Sequence, residues 1–294
     1  MTGDDSSQSP SPSPFEPRPR GAAANAELAL LLEVAGTPKP GNVDRHRDAA
    51  DLRFDHFLAG AVGARPGLER AAAGDALGEA FETAVAGMSD QSGGNTQFGC
   101  LLLLTPLAAA AGDDALSPDG VREVCRSTTV DDAAGFYRAF EYVDVAVPDP
   151  PADMDALDVR RGADAVPTVR ERGLTLFDVL ERSAPGDANA AEWASSFPRT
   201  FRAAESILDD DGPPTDRAAR AFLDLLAERE DTLVRTQHGP DVAREVRDRA
   251  ADVDSLEEAE AWADELAERD VNPGTTADLT AAALFVALER GLEV

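Results

Sequence analysis

The chain has 294 residues, with 56 Asp and Glu against 27 Lys and Arg and a formal net charge of −29. Such a surface repels nucleic acid and anionic membranes, so neither is expected as a partner. No apolar run approaches the roughly 18 residues of a membrane span, and Cys100 and Cys125 lack metal-ligand spacing, which excludes a structural zinc site or a disulfide framework. The N-terminus has no basic start followed by an apolar segment, so no secretory signal is read and a cytoplasmic location is expected. Acidity, arginine in place of lysine and abundant Ala together resemble a halophilic protein from a high-salt cytoplasm. At about 1 M salt the Debye length is roughly 3 Å, and such charges barely repel one another. Any single Asp or Glu therefore reads first as a solvated surface residue.

In chain order, residues 1–21 are rich in Ser, Pro and Asp and read as a disordered tail, since they cannot bury enough to offset ordering entropy. Residues 22–294 read as one all-helical domain. Ala22–Val34 carries Leu28, Leu31 and Leu32 at helical spacing, and Leu52–Ala73 and Ala76–Met88 follow the same period. Phe98–Ala111 is apolar on every side and is expected as a central buried helix. Further helices are expected at 118–127, 130–146, 174–183, 189–209, 215–231, 239–251, 255–269 and 276–290. The alternation in Val143–Val147 is the main strand-like signal. The Pro- and Asp-rich stretch Pro148–Asp158 reads as a surface loop, or as the divide of a two-lobed helical fold. Leucine-rich faces on the later helices suit either core or a dimer contact, which leaves an oligomer open.

Three glycine-containing loops adjoin helices. The first, Thr37-Pro38-Lys39-Pro40-Gly41-Asn42-Val43-Asp44-Arg45, holds the only lysine of the chain. Lysine is a compact ammonium on a flexible stem where arginine is a planar fork, so its retention at one position points to a need for that group. The loop reads as exposed. Losing the ammonium is therefore expected to weaken a triphosphate site without unfolding the chain. The second loop, Ser92–Gly99, precedes the buried helix and would aim Asn95 and Thr96 into the interior. The third, Asn272–Leu279, precedes the last helix; Thr275 with Asp278 also resembles a capping box. Helix N-termini present free N–H groups and partial positive charge, which suits phosphate.

None of the loops has the Walker spacing, and no zinc, serine-hydrolase or cysteine-nucleophile pattern occurs. His46 and His238 read as surface residues, and His56 as a boundary residue.

Taken together, the ordered motifs T-P-K-P-G-N-V-D-R, G-G-N-T-x-x-G, R-G-A-D-A-V, D-T-L-V and N-P-G-T-T-A-D-L resemble the triphosphoribosyl-dephospho-CoA synthases. Those enzymes carry T-P-K-P-G-L-V-D, G-G-V-N-T-H-K-G, R-G-E-A, N-T-L-V and S-P-G-G-S-A-D-L. The match runs over about residues 27–290. The resemblance implies an all-helical fold in which ATP and 3′-dephospho-CoA give 2′-(5″-triphosphoribosyl)-3′-dephospho-CoA and free adenine. It also implies a nucleotide site formed by Lys39, Gly41, Arg45, Gly93, Asn95, Thr96, Gly99, Gly274, Thr275 and Thr276. Asp44 and Asp278 would supply the acid-base or metal-binding carboxylates, with Mg2+ expected beside ATP. Gln97 and Phe98 stand where the family has His and Lys. That departure keeps open a related transferase with another acceptor, and a non-catalytic nucleotide-binding protein is the third reading.

Overall fold

The computed structural model describes residues 20–150 and 153–294, and the disordered-tail expectation lies outside them except at Arg20 and Gly21. All regular structure among the described residues is helical. The helices are α1 (Ala22–Ala35), α2 (Phe54–Ala72), α3 (Leu77–Met88), α4 (Phe98–Gly112), α5 (Pro118–Arg126), α6 (Val130–Ala139) and α7 (Val166–Arg172). They continue with α8 (Leu176–Ser183), α9 (Ala188–Ser195), α10 (Pro198–Asp209), α11 (Pro214–Glu228), α12 (Thr232–Ala251), α13 (Leu256–Glu268) and α14 (Gly274–Glu289). Short 3-10 turns at Asp155–Leu157 and Val159–Ala165 lead into α7. No helix among these is long and apolar enough to cross a membrane.

The all-apolar segment forms α4, which is buried almost throughout, as is α14. Both run through a core to which α1–α3, α6 and α8–α11 contribute. That core joins residues on both sides of Pro148–Asp158, so the two-lobed division is not adopted. A second apolar cluster, including Phe222, Leu226, Val246, Trp262 and Leu266, buries the leucine-rich faces of α11 and α13. Helices α2 and α3 touch backbone to backbone. A Cβ on Gly63 would lie 2.1 Å from the Gly87 carbonyl oxygen, and one on Gly67 would lie 2.3 Å from the Ala84 nitrogen.

The expected helix at 130–146 stops at Ala139. The run Asp144–Val147 is held out of helix by the prolines that follow at 148 and 150, which disfavour helical backbone on the residue before each. The expected helix 189–209 is two helices. Ser196 and Phe197 both take left-handed backbone ahead of Pro198. The Glu192 carboxylate then caps the new start, accepting from the Thr200 N–H at 3.0 Å and its hydroxyl at 2.8 Å. Helix α12 begins earlier than 239, at Thr232, and kinks at Gly239 before Pro240. Its cap Asp231 accepts from the N–H groups of Leu233 and Val234 through one oxygen and from the N–H and hydroxyl of Thr276 through the other. The D-T-L-V and N-P-G-T-T-A-D-L segments are thereby locked together, which sets the start of α14 against that of α12.

Candidate active site

A cavity of about 690 Å3 opens between the end of α1, the segment 144–150, the end of α8 and the starts of α4, α9, α12 and α14. Its polar lining includes Glu33, Asn42, Asn95, Thr96, Asn189 and Asp278. Its apolar lining includes Phe98, Phe136, Phe140, Val145, Val147 and Leu180. Phe98 and Phe140 meet at a tilt with a centroid distance of 4.7 Å, and Phe136 meets Phe140 edge-on at 5.2 Å. Among the described residues six carboxylates, from Glu33, Asp144, Asp149, Asp158, Asp187 and Asp278, line the space, against one basic side chain, that of Arg182.

Asp278 stands on the first turns of α14. Its Oδ2 accepts from Asn189 Nδ2 at 2.8 Å and its Oδ1 from the Cys100 thiol at 3.2 Å. Burial pushes its carboxyl up to about 7; the two hydrogen bonds oppose this, and the nearby charges of Asp231 and Glu33 add to it. Gly99 permits the arrangement, since a Cβ there would lie 2.0 Å from Asp278 Oδ2. Asn189, at the start of α9, spends its amide on Asp278 and leaves its buried Oδ1 without a partner, and Thr96 Oγ1 is likewise unpartnered.

A buried polar chain runs from the cavity lining to Lys39 behind it. The Lys39 ammonium pairs with Glu33 and donates to Asn42 Oδ1 at 3.1 Å. Asn42 Nδ2 then donates to Asn272 Oδ1 at 2.9 Å. Burial pushes the Glu33 carboxyl above its ordinary value, and the ammonium pulls it back.

Of the residues expected at the nucleotide site, Asn95, Thr96, Gly99, Gly274, Thr275 and Asp278 line the cavity. Lys39 does not, and the exposed-loop expectation is overturned: the side chain is 0% exposed because Glu33 draws the ammonium inward. Asp44 is also off the cavity. Its oxygens accept from the backbone N–H groups of Lys39, His46 and Arg47, so the carboxylate folds the loop. Arg45 is exposed and turns back onto the Thr37 hydroxyl. Gly93 packs against the His56 ring, and Thr276 is engaged by Asp231.

Gly41 is a packing glycine. Its φ is +78°, and a Cβ would lie 2.0 Å from the Val271 carbonyl oxygen. Gly41→Ala is expected to destabilise the chain by at least about 1–3 kcal/mol through strain and clash, measured as a lowered denaturation midpoint.

The sequence motifs do not point to Glu33, Asn42, Asn189 or Asp187, nor to the Cys100 thiol as a partner of Asp278. Glu33 alone left a signal: it sits on the buried face of α1 with Ala29 and Leu30, where a carboxylate is costly unless paired. Nothing local marks Asn189.

The fold and the cavity together define an all-helical protein with a pocket of small-molecule size, lined by carboxylates and by the starts of several helices. Residues 19–293 match the family model described as ATP:dephospho-CoA triphosphoribosyl transferase (CitG). The chain belongs to that family and is a transferase of the triphosphoribosyl-dephospho-CoA synthase type. A crystal structure from Archaeoglobus fulgidus, provisionally described as a triphosphoribosyl-dephospho-CoA synthase, superposes with a TM-score of 0.69 at 26% identity. The match covers 82% of this chain and 100% of that one. No curated relative matches the chain at a significant level.

Proposed function

We propose that the chain moves the triphosphoribosyl group of ATP onto a ribose hydroxyl of 3′-dephospho-CoA and releases adenine. The observation that carries this reading is Asp278, a buried carboxyl on the cavity wall held near neutrality without a cation beside it. A proton acceptor poised near the working pH suits activation of a hydroxyl. The hydroxyl oxygen bonds to the anomeric carbon of the ATP ribose as the bond from that carbon to adenine breaks. Asp278 takes the hydroxyl proton, and the departing adenine takes up a proton from solvent. Asn189 and Cys100 hold both carboxylate oxygens and so fix the direction of transfer. The Asn95-Thr96 bend, where the buried Thr96 hydroxyl has no partner among the described residues, offers a donor to the phosphates.

A triphosphate among six carboxylates needs a cation. Magnesium binds through one or two carboxylates plus substrate phosphates, so no dedicated protein cage is required. The orphan Oδ1 of Asn189 and the adjacent Asp187 carboxylate fit such an ion. They would hold it with the phosphates, where it would neutralise their charge. Arg182 is the remaining cation of the lining and has no carboxylate partner among the described residues. Arg182→Glu is expected to raise KM for ATP about 10-fold with kcat changed much less, because a mouth charge binds ground state and transition state alike. Steady-state kinetics in high salt checks this.

Phe98 favours a second reading, transfer to a different acceptor. It places an aromatic ring in the cavity where the family pattern has lysine, while Gln97 turns away to donate to the Leu30 carbonyl. Incubation with ATP, magnesium and dephospho-CoA separates the readings. Adenine formed in proportion to dephospho-CoA supports the first, adenine formed only with another acceptor supports the second, and ATP binding without turnover leaves a non-catalytic protein.

A further inference from the structure

Two buried carboxylates face the same cavity in opposite settings. Asp278 is held by an amide and a thiol. Glu33 is held by the only ammonium in the chain. The glutamate lines the cavity, whereas its partner Lys39 stands behind it, wholly buried and off the lining. Glu33 is therefore the member of the ion pair that borders the cavity. Glu33 is also close enough to act on both Cys100 and Asp278 electrostatically.

We infer that Glu33 is a catalytic carboxylate that stabilises the positive charge developing on the transferred ribose, and that Lys39 is the positioning residue that keeps it ionised and aimed. This role rests on the transfer reaction proposed above. Breaking the bond to adenine ahead of full bonding to the hydroxyl leaves the anomeric carbon and ring oxygen short of electrons, as in other glycosyl transfers. A carboxylate fixed beside that centre lowers the barrier, and it must stay anionic to do so. A counter-ion at its back secures that state. Asp278, held by an amide and a thiol, is placed to take the hydroxyl proton. The two carboxyl groups, one ion-paired and one held by neutral donors, divide the work between charge stabilisation and proton transfer. The same pairing explains why a composition otherwise emptied of lysine retains Lys39. The ammonium reaches Glu33 and Asn42 at once, and Asn42 ties the pair to Asn272 at the entry to α14. The carboxylate thus has its register set by the helix that carries Asp278.

The test uses the full chain with ATP, magnesium and dephospho-CoA, reading adenine. Glu33→Gln is expected to lower kcat by on the order of 10²–10³-fold while KM for ATP moves little. A selective loss of kcat with KM held is the readout that a purely structural role would not give.

The double variant Glu33→Gln with Lys39→Met guards against misfolding. Replacing a buried ion pair by neutral groups is often tolerated. This variant should melt well above Lys39→Met alone and still turn over at the low Glu33→Gln rate. Recovery of both stability and turnover in the double variant would reduce the pair to scaffolding and overturn the inference. Full kcat in Glu33→Gln, with wild type active, would overturn it as well. A wild type that releases no adenine brings down the transfer reading itself, and this role with it.

Discussion

Asp278→Asn is expected to fold, to gain stability above neutral pH and to lose turnover by on the order of 10²–10⁴-fold. The carboxyl titrates near 3.8 in an open chain and is pushed up to about 7 in the folded one by burial. Between those values the folded state binds the extra proton. Its contribution is therefore fully present below about pH 4 and is lost as pH rises through about 7. The loss amounts to about 4 kcal/mol once Asp278 is fully ionised in the folded protein. Asparagine keeps the shape and an acceptor for Asn189 but never ionises. Denaturation at pH 8 should therefore favour the variant by a few kcal/mol, and at pH 4 the two proteins should nearly coincide. A wild type that stabilises relative to the variant as pH rises would contradict the burial argument. A variant with undiminished adenine release would remove Asp278 from the chemistry.

Lys39→Ala is expected to unsettle the whole chain. The ammonium is the only cation on the Glu33 carboxylate, both groups are buried, and removing one partner strands the other. Breaking a buried pair in this way costs about 3–5 kcal/mol, a large part of the roughly 5–15 kcal/mol that holds a typical domain together. For a chain of this size the melting temperature should fall by on the order of 10 °C. Asn42 also loses the donor to its Oδ1, which loosens its tie to Asn272. Melting curves in concentrated salt would show the drop, because screening acts weakly on a pair shut away from solvent. An unchanged melting temperature would mean that the pair forms without contributing to stability. This outcome is the reverse of what an exposed loop implies.

Helix content was readable because it depends on local period. The apolar run became α4, and the starts and stops of α3, α5 and α13 fell close to where spacing and caps put them. Breaks were harder to read. Ser196 and Phe197 take left-handed backbone at the break ahead of Pro198, a cost offset where Glu192 reaches forward to cap α10. At the site, Asn95, Thr96, Gly99, Gly274, Thr275 and Asp278 were identifiable from motifs, and they converge on one cavity. Glu33 and Asn189 were not, since their partners Lys39 and Asp278 lie 6 and 89 positions away and nothing in their own neighbourhoods names those partners.

By itself the sequence determined the all-helical architecture, the family and the identity of the loops that meet, because apolar period and ordered motifs are properties of the chain in one dimension. The tertiary structure decided which polar groups face the cavity and which stand behind it. Lys39 and Asp44 proved to brace the loop behind the cavity, while Glu33, Asn189 and Asp278 line it. The physical reason is desolvation. A charge can be carried into the interior only where a partner awaits it, and that partner is supplied by whichever distant helix the fold brings alongside.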